Sequence, residues 1–196
     1  MMSLEQALGK IGYSLSLHLI TDYELSNQLL PASFHIQNTD AILALEIFNR
    51  NYCEFLCTLG KPILFSDIYS TFTQGDLSAD ILVADNYTAS VKLYSSVIED
   101  CKPKSIGFLG DPDYSLSFQD RFKGFLSVTQ KYGFSDSYKN HSIISNIQNF
   151  QNDIWMQNKF KTLEIPNLLV CANDILAMKA LTCLERLNIK VPDEVT

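Results

Sequence analysis

The chain has 196 residues, of which 46% are hydrophobic and 19% are charged. This balance is typical of a globular protein with a packed core and excludes a disordered tail. The formal net charge is −7 and no basic run is present to follow a phosphate backbone, so we do not expect this chain by itself to bind nucleic acid. No apolar stretch has the length of a membrane span and the first residues lack the pattern of a secretory signal, so we expect a cytoplasmic protein.

Short runs rich in Leu, Ile and Val alternate with longer segments of helical periodicity along the chain. The predicted helices are Leu4–Lys10, Arg50–Leu59, Tyr87–Asp100, Leu116–Tyr132, Ile147–Leu163 and Ile175–Leu187. The predicted strands are Tyr13–Ile20, Ala41–Ile47, Pro62–Ser66, Ile81–Ala84, Ser105–Leu109, His141–Ser145 and Leu168–Cys171. Several strands are continuous apolar runs, which is typical of parallel strands covered by helices on both faces. The predicted fold class is therefore α/β.

Two of the predicted helices carry apolar stripes that we interpret as core-facing. The first stripe consists of Phe118, Phe122, Phe125 and Leu126. The second consists of Ile175, Met178, Leu181, Leu184 and Leu187. The single tryptophan, Trp155, is interpreted as a packing residue.

Two segments lack a clear period. Pro31 interrupts a weak helical pattern, so we predict a short, broken helix within Asp22–Thr39. Tyr69–Asp80 contains Gly75 with many Ser and Thr residues and is predicted to be a loop between two strands. The chain opens in a helix, and a further strand begins near Val195, so we expect a fragment of a longer polypeptide.

The sequence contains no common catalytic motif. The histidines His18, His35 and His141 lie far apart without a neighbouring nucleophile, and the usual nucleophile, phosphate-loop and zinc motifs are absent. The five cysteines are scattered and odd in number, which favours buried thiols in a reducing compartment. Cys53 and Cys57 share a helix face, so a metal pair remains an alternative, although no adjacent Cys or His completes it. We therefore expect neither an enzyme nor a cofactor nor a bound metal.

Polar side chains follow several predicted strands, at the sheet edge where open α/β folds bind ligands. They are Asp67, Asp85, Asn86, Asn173 and Asp174. Carboxylates and amides in such positions can bind a polyhydroxylated ligand. The alternative for any single one is a helix N-cap.

Ser117 and Arg121 lie four residues apart on one predicted helix, away from its phenylalanine stripe. The Arg121 guanidinium can form a forked pair of hydrogen bonds with a diol or a carboxylate of a ligand. The alternative is a surface salt bridge with Asp120 or another acid.

Several segments, in order, resemble motifs of the ligand-binding core of the lactose-repressor family of transcription regulators. Thr39–Leu43 is similar to V-D-G-I-I, Gly60–Asp67 to G-x-P-V-V-x-x-D, and Val83–Ala89 to V-x-x-D-N-x-x-G-A. Ser105–Gly110 is similar to R-I-x-F-I-G, and Ser117–Phe125 is similar to S-x-x-x-R-x-x-G-F. Cys171–Leu181 is similar to C-A-N-D-x-x-A-x-x-A-L, and Val191–Val195 is similar to V-P-x-D-V-S. The family's helix-turn-helix head and first strand have no counterpart here.

The resemblance implies a two-lobed, periplasmic-binding-protein-like fold, with an N-terminal lobe over residues 1–80 and a C-terminal lobe over residues 81–196. It implies a small-molecule effector, a sugar or sugar derivative, held in the cleft by Asp67, Asp85, Ser117, Arg121 and Asn173. It also implies a homodimeric repressor that contacts operator DNA through a separate head. The alternatives are an α/β sugar-processing enzyme and a solute-binding protein of a transport system.

Overall fold

The computed structural model describes residues 2–69, 72 and 75–196, in which helices and parallel strands alternate. The helices are α1 (Met2–Lys10), α2 (Asp22–Asn27), α3 (Arg50–Cys57), α4 (Asn86–Cys101), α5 (Leu116–Tyr132), α6 (Ile147–Gln151), α7 (Asp153–Thr162) and α8 (Asp174–Arg186). The strands are β1 (Ile42–Ile47), β2 (Ile63–Ile68), β3 (Asp80–Leu82), β4 (Ile106–Gly110), β5 (Ile143–Ile144) and β6 (Leu168–Cys171). They form two parallel sheets, in the orders β1-β2-β3 and β5-β4-β6, which confirms the α/β class.

The first sheet is covered mainly on one face. Some residues of β1 and β2, among them Ala44 and Phe65, are buried together with Tyr52 and Cys53 of α3. The opposite face carries four exposed leucines, which we call the leucine face: Leu43, Leu45, Leu64 and Leu82. Leu43 and Leu64 are register partners, so they are neighbours across the strands.

The second sheet is covered on both faces, because all five residues of its central strand β4 are buried. Two glycines allow close approaches in this lobe. A Cβ on Gly107 would lie 1.8 Å from the His141 carbonyl oxygen, and one on Gly124 of α5 would lie 2.9 Å from the Ser90 Cβ of α4. Both positions therefore require glycine for their packing.

Two apolar cores correspond to the two sheets, one around Phe65 and one around Phe108. The predicted lobe boundary at residues 80 and 81 falls inside β3, which pairs with the first sheet, and this boundary stays a prediction. Thr196 exchanges backbone hydrogen bonds with the β6 region, donating to Asn167 (2.8 Å) and accepting from Leu169 (2.9 Å). The chain therefore runs beside β6 where a further strand was predicted.

The predicted strand Tyr13–Ile20 is wrong, because the structure assigns no strand to this segment. Leu17 and Leu19 within it are exposed. An extended segment becomes a strand only when a second backbone pairs with its N–H and C=O groups. No described residue pairs with this segment in a sheet, and β1 stands at the edge of the first sheet.

The predicted helix Ile147–Leu163 is two helices, α6 and α7, separated at Asn152. The Asn152 side chain accepts a hydrogen bond from the Trp155 backbone N–H at 3.0 Å and so caps α7. An asparagine side chain competes with the helical backbone for hydrogen bonds to backbone groups. One helix therefore ends here and the next begins. Trp155 packs at 5.6 Å against Phe150, in agreement with its predicted packing role.

The stripe predicted to be buried on α8 is largely wrong, because Ile175, Met178 and Leu181 are exposed. The buried residues of this helix are Leu176, Ala180, Cys183 and Leu184. Both sets have helical spacing, so periodicity alone could not decide between them. On α5, by contrast, Phe118 and Phe125 are buried, and Phe122 and Leu126 pack on the same core, as predicted.

The broken helix predicted within Asp22–Thr39 is confirmed as α2 and a 3₁₀ turn at Ile36–Asn38. Of the predicted loop Tyr69–Asp80, residues 70, 71, 73 and 74 lie outside the described residues. Phe72 and Leu77 in this segment are buried in the first core, and Asp80 begins β3. None of the described helices is both long enough and apolar enough to cross a lipid bilayer.

Candidate functional site

Asp67 and Ser117 join the two lobes directly. Ser117 lies in the first turn of α5, where backbone N–H groups have no partner within the helix. Its N–H donates to Asp67 Oδ1 at 3.2 Å and its hydroxyl donates to Asp67 Oδ2 at 2.5 Å. Asp67 itself lies near the carboxyl end of β2 with a φ of 53°, an uncommon conformation for a residue with a side chain. The carboxyl end of β2 is therefore bonded to the first turn of α5.

Arg121, one turn further along α5, holds two other segments of the second lobe. It donates to the Ala172 carbonyl oxygen at 2.6 Å and to Asn86 Oδ1 at 3.2 Å. Its guanidinium carbon lies 5.9 Å from the centre of the Phe118 ring. A guanidinium has five N–H donors, so donors remain for a ligand.

The alternative of a surface salt bridge between Arg121 and Asp120 is not what the structure shows. Asp120 instead lies 3.9 Å from Lys123 Nζ. Arg121 is also only partly exposed, because it is held between the start of α4 and the end of β6.

Two of the predicted contacts act as helix caps. Asp85 Oδ1 accepts from the Thr88 N–H at 3.0 Å and Asn173 Oδ1 accepts from the Leu176 N–H at 2.9 Å. The hydrogen bonds from Thr88 lower the pKa of the exposed Asp85 carboxyl. Asn173 directly follows the carbonyl that binds Arg121, whereas Asp85 is exposed at the start of α4. The capping alternative therefore describes what both side chains do in this structure.

Aromatic rings form a second contact between the lobes. The Phe48 ring, which follows β1, lies 4.5 Å from the Tyr114 ring, and Tyr114 lies 5.4 Å from Phe118. Burial raises the pKa of Tyr114, and the charges of Glu46, Asp67 and Asp111 raise it further. The interlobe region therefore combines aromatic surface with several carboxylates.

Asp111 is a residue that sequence reasoning missed. It follows β4 directly, is buried, and accepts hydrogen bonds from the N–H groups of Ile147 (2.7 Å) and Asp113 (3.1 Å). It ties the start of α6 to the end of the central strand. Its position after a strand could have revealed it, because the same criterion, a polar residue that follows a predicted strand, selected Asp67 and Asn173.

The contacts of Cys53 and of the histidines do not suggest a metal centre. The Cys53 thiol donates to the Ile47 carbonyl at 3.4 Å, and burial raises its pKa to about 12, so it stays protonated at neutral pH. His141 is buried with Nδ1 at 2.7 Å from the Glu164 carbonyl, and His18 Nδ1 lies 3.0 Å from Ser33 Oγ. Within the described ranges, no group of three potential ligands could hold a metal ion.

Three of the five predicted residues, Asp67, Ser117 and Arg121, lie together at α5, and the other two, Asp85 and Asn173, each lie next to a residue that Arg121 bonds. Asp67 bonds Ser117 across the lobes, and Arg121 on the same helix bonds the residue that precedes Asn173. A separate hollow of about 240 Å³ lies between β5 and α7, lined in part by Ile144, Trp155 and Lys159, and contains none of these residues. The assignment of the five residues to a ligand site stays a prediction.

Two lobes of parallel sheet and helix, joined by the contacts of Asp67 with Ser117 and of Phe48 with Tyr114, define the class of periplasmic-binding-protein-like domains. Residues 102–196 match the family model described as periplasmic binding protein-like domain. No curated protein is similar enough in sequence to count as a match.

Solved structures show the same fold over the whole chain. A transcription regulator from Lactobacillus plantarum has a TM-score of 0.72 at 19% identity, over 100% of this chain and 70% of its own. A LacI family transcription regulator from Clostridium acetobutylicum has a TM-score of 0.68 at 20% identity, over 100% and 69%. A periplasmic binding protein/LacI transcriptional regulator from Alkaliphilus metalliredigens, complexed with D-xylulofuranose, has a TM-score of 0.66 at 16% identity, over 100% and 69%. The chain thus spans about 70% of these structures.

Proposed function

We propose that this chain is the effector-sensing domain of a DNA-binding transcriptional regulator, a repressor that binds a small molecule between its lobes. The observation that carries the proposal is the direct bonding of Asp67 to Ser117 across the lobes, beside an Arg121 that retains free donors. A ligand that replaces or extends these bonds changes the relative position of the lobes. Such a change is how effector binding is coupled to a distant DNA-binding head.

The proposed ligand is a sugar or a sugar derivative, bound through Asp67, Asp85, Ser117, Arg121 and Asn173. The carboxylate, amide and guanidinium groups suit the hydroxyls of a sugar, and the rings of Phe48 and Tyr114 supply an apolar surface. The Alkaliphilus structure, which shares the fold, contains a sugar. Operator DNA is contacted through a head outside this sequence, in a cytoplasmic homodimer.

The enzyme alternative is less well supported. The solved structures named above are regulators rather than enzymes, and the described site contains no activated nucleophile or metal cluster. A transport-type binding protein shares the fold, but the five unpaired cysteines favour a reducing compartment.

Thermal-shift screening of the protein against D-xylulose, D-ribose, D-glucose and D-glucose 6-phosphate identifies a ligand, because a ligand of the folded state raises the melting temperature. For the best sugar, Arg121→Ala is then compared with Arg50→Ala by calorimetry. Arg50 forms an exposed salt bridge with Glu54 and is the matched control. Loss of a charge-assisted hydrogen bond should raise the Kd roughly tenfold to a hundredfold for Arg121→Ala. Equal constants for both variants would remove Arg121 from the site.

A further inference from the structure

The hollow of about 240 Å³ beside the second sheet contains none of the residues that join the lobes. One wall consists of residues 142–145, which include β5, and the other wall belongs to α7 and to Leu163 directly after it. Four consecutive residues line the hollow, and β5 is the last strand of its sheet. Because side chains of one sheet face alternate along a strand, the hollow runs along the sheet edge rather than over one face. We call it the β5–α7 hollow.

The outer edge of β5 offers a backbone donor on the side of this hollow. The Ser145 N–H donates to the Gly110 carbonyl oxygen of β4 at 3.2 Å. Alternate residues of a strand direct their backbone groups to the same side, so the N–H and C=O of Ile144 point away from β4. Among the described residues, no strand lies on that side. The Ile144 N–H can therefore donate to an oxygen of a ligand.

The three hydroxyl groups of the lining already bond within the protein. Ser142 Oγ donates to a backbone carbonyl at 2.7 Å, Thr162 Oγ1 donates to a backbone carbonyl at 3.1 Å, and Ser145 Oγ accepts from a side-chain amide at 2.9 Å. The Lys159 ammonium and the Asn140 side-chain amide also line the hollow, and neither makes a hydrogen bond to a described residue. These two groups are therefore the side-chain donors that remain for a ligand.

Lys159 supplies the positive charge of the hollow. Its Nζ lies 5.5 Å from the centre of the Trp155 ring. No acidic side chain of the described residues forms a salt bridge with it, whereas Lys123, Lys131 and Lys179 each have such a partner. An ammonium without an acidic partner can bond an anionic oxygen of a ligand. The net charge of −7 on the chain opposes a dianion more than a monoanion, so the hollow favours a single negative charge.

Apolar side chains form the rest of the wall. Ile144 is 45% exposed, and Trp155 and Leu163 are partly buried. Met156 and Phe160, on the inner side of α7, are buried in the second core and hold this wall in place. A ligand that fills the hollow therefore needs an apolar body as well as its charge.

From an unpaired ammonium, an edge N–H and an apolar wall in one hollow, we propose that the β5–α7 hollow binds a small monocarboxylate with an apolar body. The carboxylate accepts from Lys159 and from the Ile144 N–H, and the body lies against Trp155 and Leu163. The volume is below the usual range of sites for drug-sized molecules, so the ligand is small. This site uses none of the residues assigned to the effector and does not rest on the proposed function.

Trp155 is the single tryptophan of the chain and lines the hollow, so its fluorescence reports binding there directly. Titration with cyclohexanecarboxylate at constant ionic strength should give a saturable change with a Kd on the order of 1 mM, as expected of so small a ligand. Two probes separate the charge from the apolar body. Cyclohexanecarboxamide lacks the charge and acetate lacks the ring, and each should bind at least about tenfold more weakly.

Two lysine variants test the ammonium. Lys159→Gln should raise the Kd for cyclohexanecarboxylate about tenfold. The matched control is Lys161→Gln, which removes an exposed lysine from the same last turn of α7 but outside the lining, and it should bind like the wild type. Circular dichroism melting checks that both variants are folded. Equal constants for the two variants, or equal binding of the carboxylate and its amide, would overturn the proposal.

The location of the site is tested with Arg121→Ala, which should bind cyclohexanecarboxylate like the wild type. Weaker carboxylate binding in this variant would place the ligand between the lobes and overturn the proposal. The absence of any saturable change in Trp155 fluorescence up to about 50 mM would overturn it as well. Loss of sugar binding alone, with carboxylate binding unchanged, counts against the proposed function and not against this site.

Discussion

The two lobes share the same alternation of strands and helices along the chain but differ in how completely they bury their sheets. In the second lobe every residue of β4 is buried between helices. In the first lobe only two residues of β1 and three of β2 are buried, and the leucine face stays open. Parallel strands are normally covered on both faces. The second lobe therefore buries its own sheet on both faces, whereas the first lobe leaves one face of its sheet exposed and is bonded to the second lobe through Asp67 and Ser117.

The largest expected effect is the loss of packing in the second lobe. Phe108→Ala removes a fully buried ring of β4 and should lower the free energy of unfolding by about 3–5 kcal/mol. Leu64→Ala on the leucine face, where the side chain is 37% exposed, should cost about 1 kcal/mol or less. Urea denaturation followed by circular dichroism measures both. Similar costs would mean that the leucine face is buried in solution.

Thiol labelling compares the opening of the two lobes in one molecule. Cys53 in the first core and Cys183 in the second are both buried, and burial raises the pKa of each thiol, so labelling requires opening. With Cys57, Cys101 and Cys171 replaced by alanine, Cys53 should react at least about tenfold faster than Cys183. This ratio corresponds to a difference of about 1.4 kcal/mol in the free energy of opening. Mass spectrometry of the labelled peptides gives the two rates. Equal rates would show that the lobes open as one unit.

Removing the link between the lobes should make them unfold separately. Asp67→Ala deletes the acceptor of both Ser117 bonds and should cost about 1.5 kcal/mol. The single tryptophan, Trp155, lies in the second lobe, so its fluorescence follows that lobe while circular dichroism follows both. We expect the two urea transitions to move apart in this variant. Asp67→Asn, which retains one acceptor oxygen, should separate them less.

The smallest expected effect is the acid sensitivity of the α4 cap. The pKa of Asp85 is lowered in the folded state. The stability that its ionised carboxyl contributes is therefore present above the unfolded pKa and is lost as the pH falls through the folded pKa. Asp85→Asn keeps a capping oxygen but does not titrate. Its melting temperature should therefore fall less steeply with acid than that of the wild type. An identical pH profile would remove Asp85 from the acid response.

Helices and strands whose ends are set by local sequence signals were predictable. The bounds of α5 and β6 match the structure because capping residues and apolar periodicity agree there. The segment Tyr13–Ile20 was predicted to be a strand on composition, but pairing depends on a second backbone that composition does not describe. On α8 two apolar stripes compete, and only packing on the second sheet selects the one containing Leu176.

The candidate site was predictable in part for the same reason. Strand ends and one helix face pointed to Asp67, Ser117 and Arg121, since parallel strands place their carboxyl ends at one edge. The partners of Arg121, the Ala172 carbonyl and Asn86, depend on how α4, α5 and β6 meet. The ring contact of Phe48 with Tyr114 joins residues far apart in sequence and has no local signal.

The double anchoring of Arg121 has a thermodynamic consequence. A long side chain that must be ordered by its ligand loses rotamer freedom at the moment of binding, at a cost of about 0.5–1.5 kcal/mol. Here the Ala172 carbonyl and the Asn86 amide hold the guanidinium before any ligand arrives, so folding has already met that cost. If the proposed ligand binds Arg121, it meets a preorganised donor, and loosening that donor through Asn86→Ala should appear in calorimetry as an added entropic penalty rather than as a lost contact.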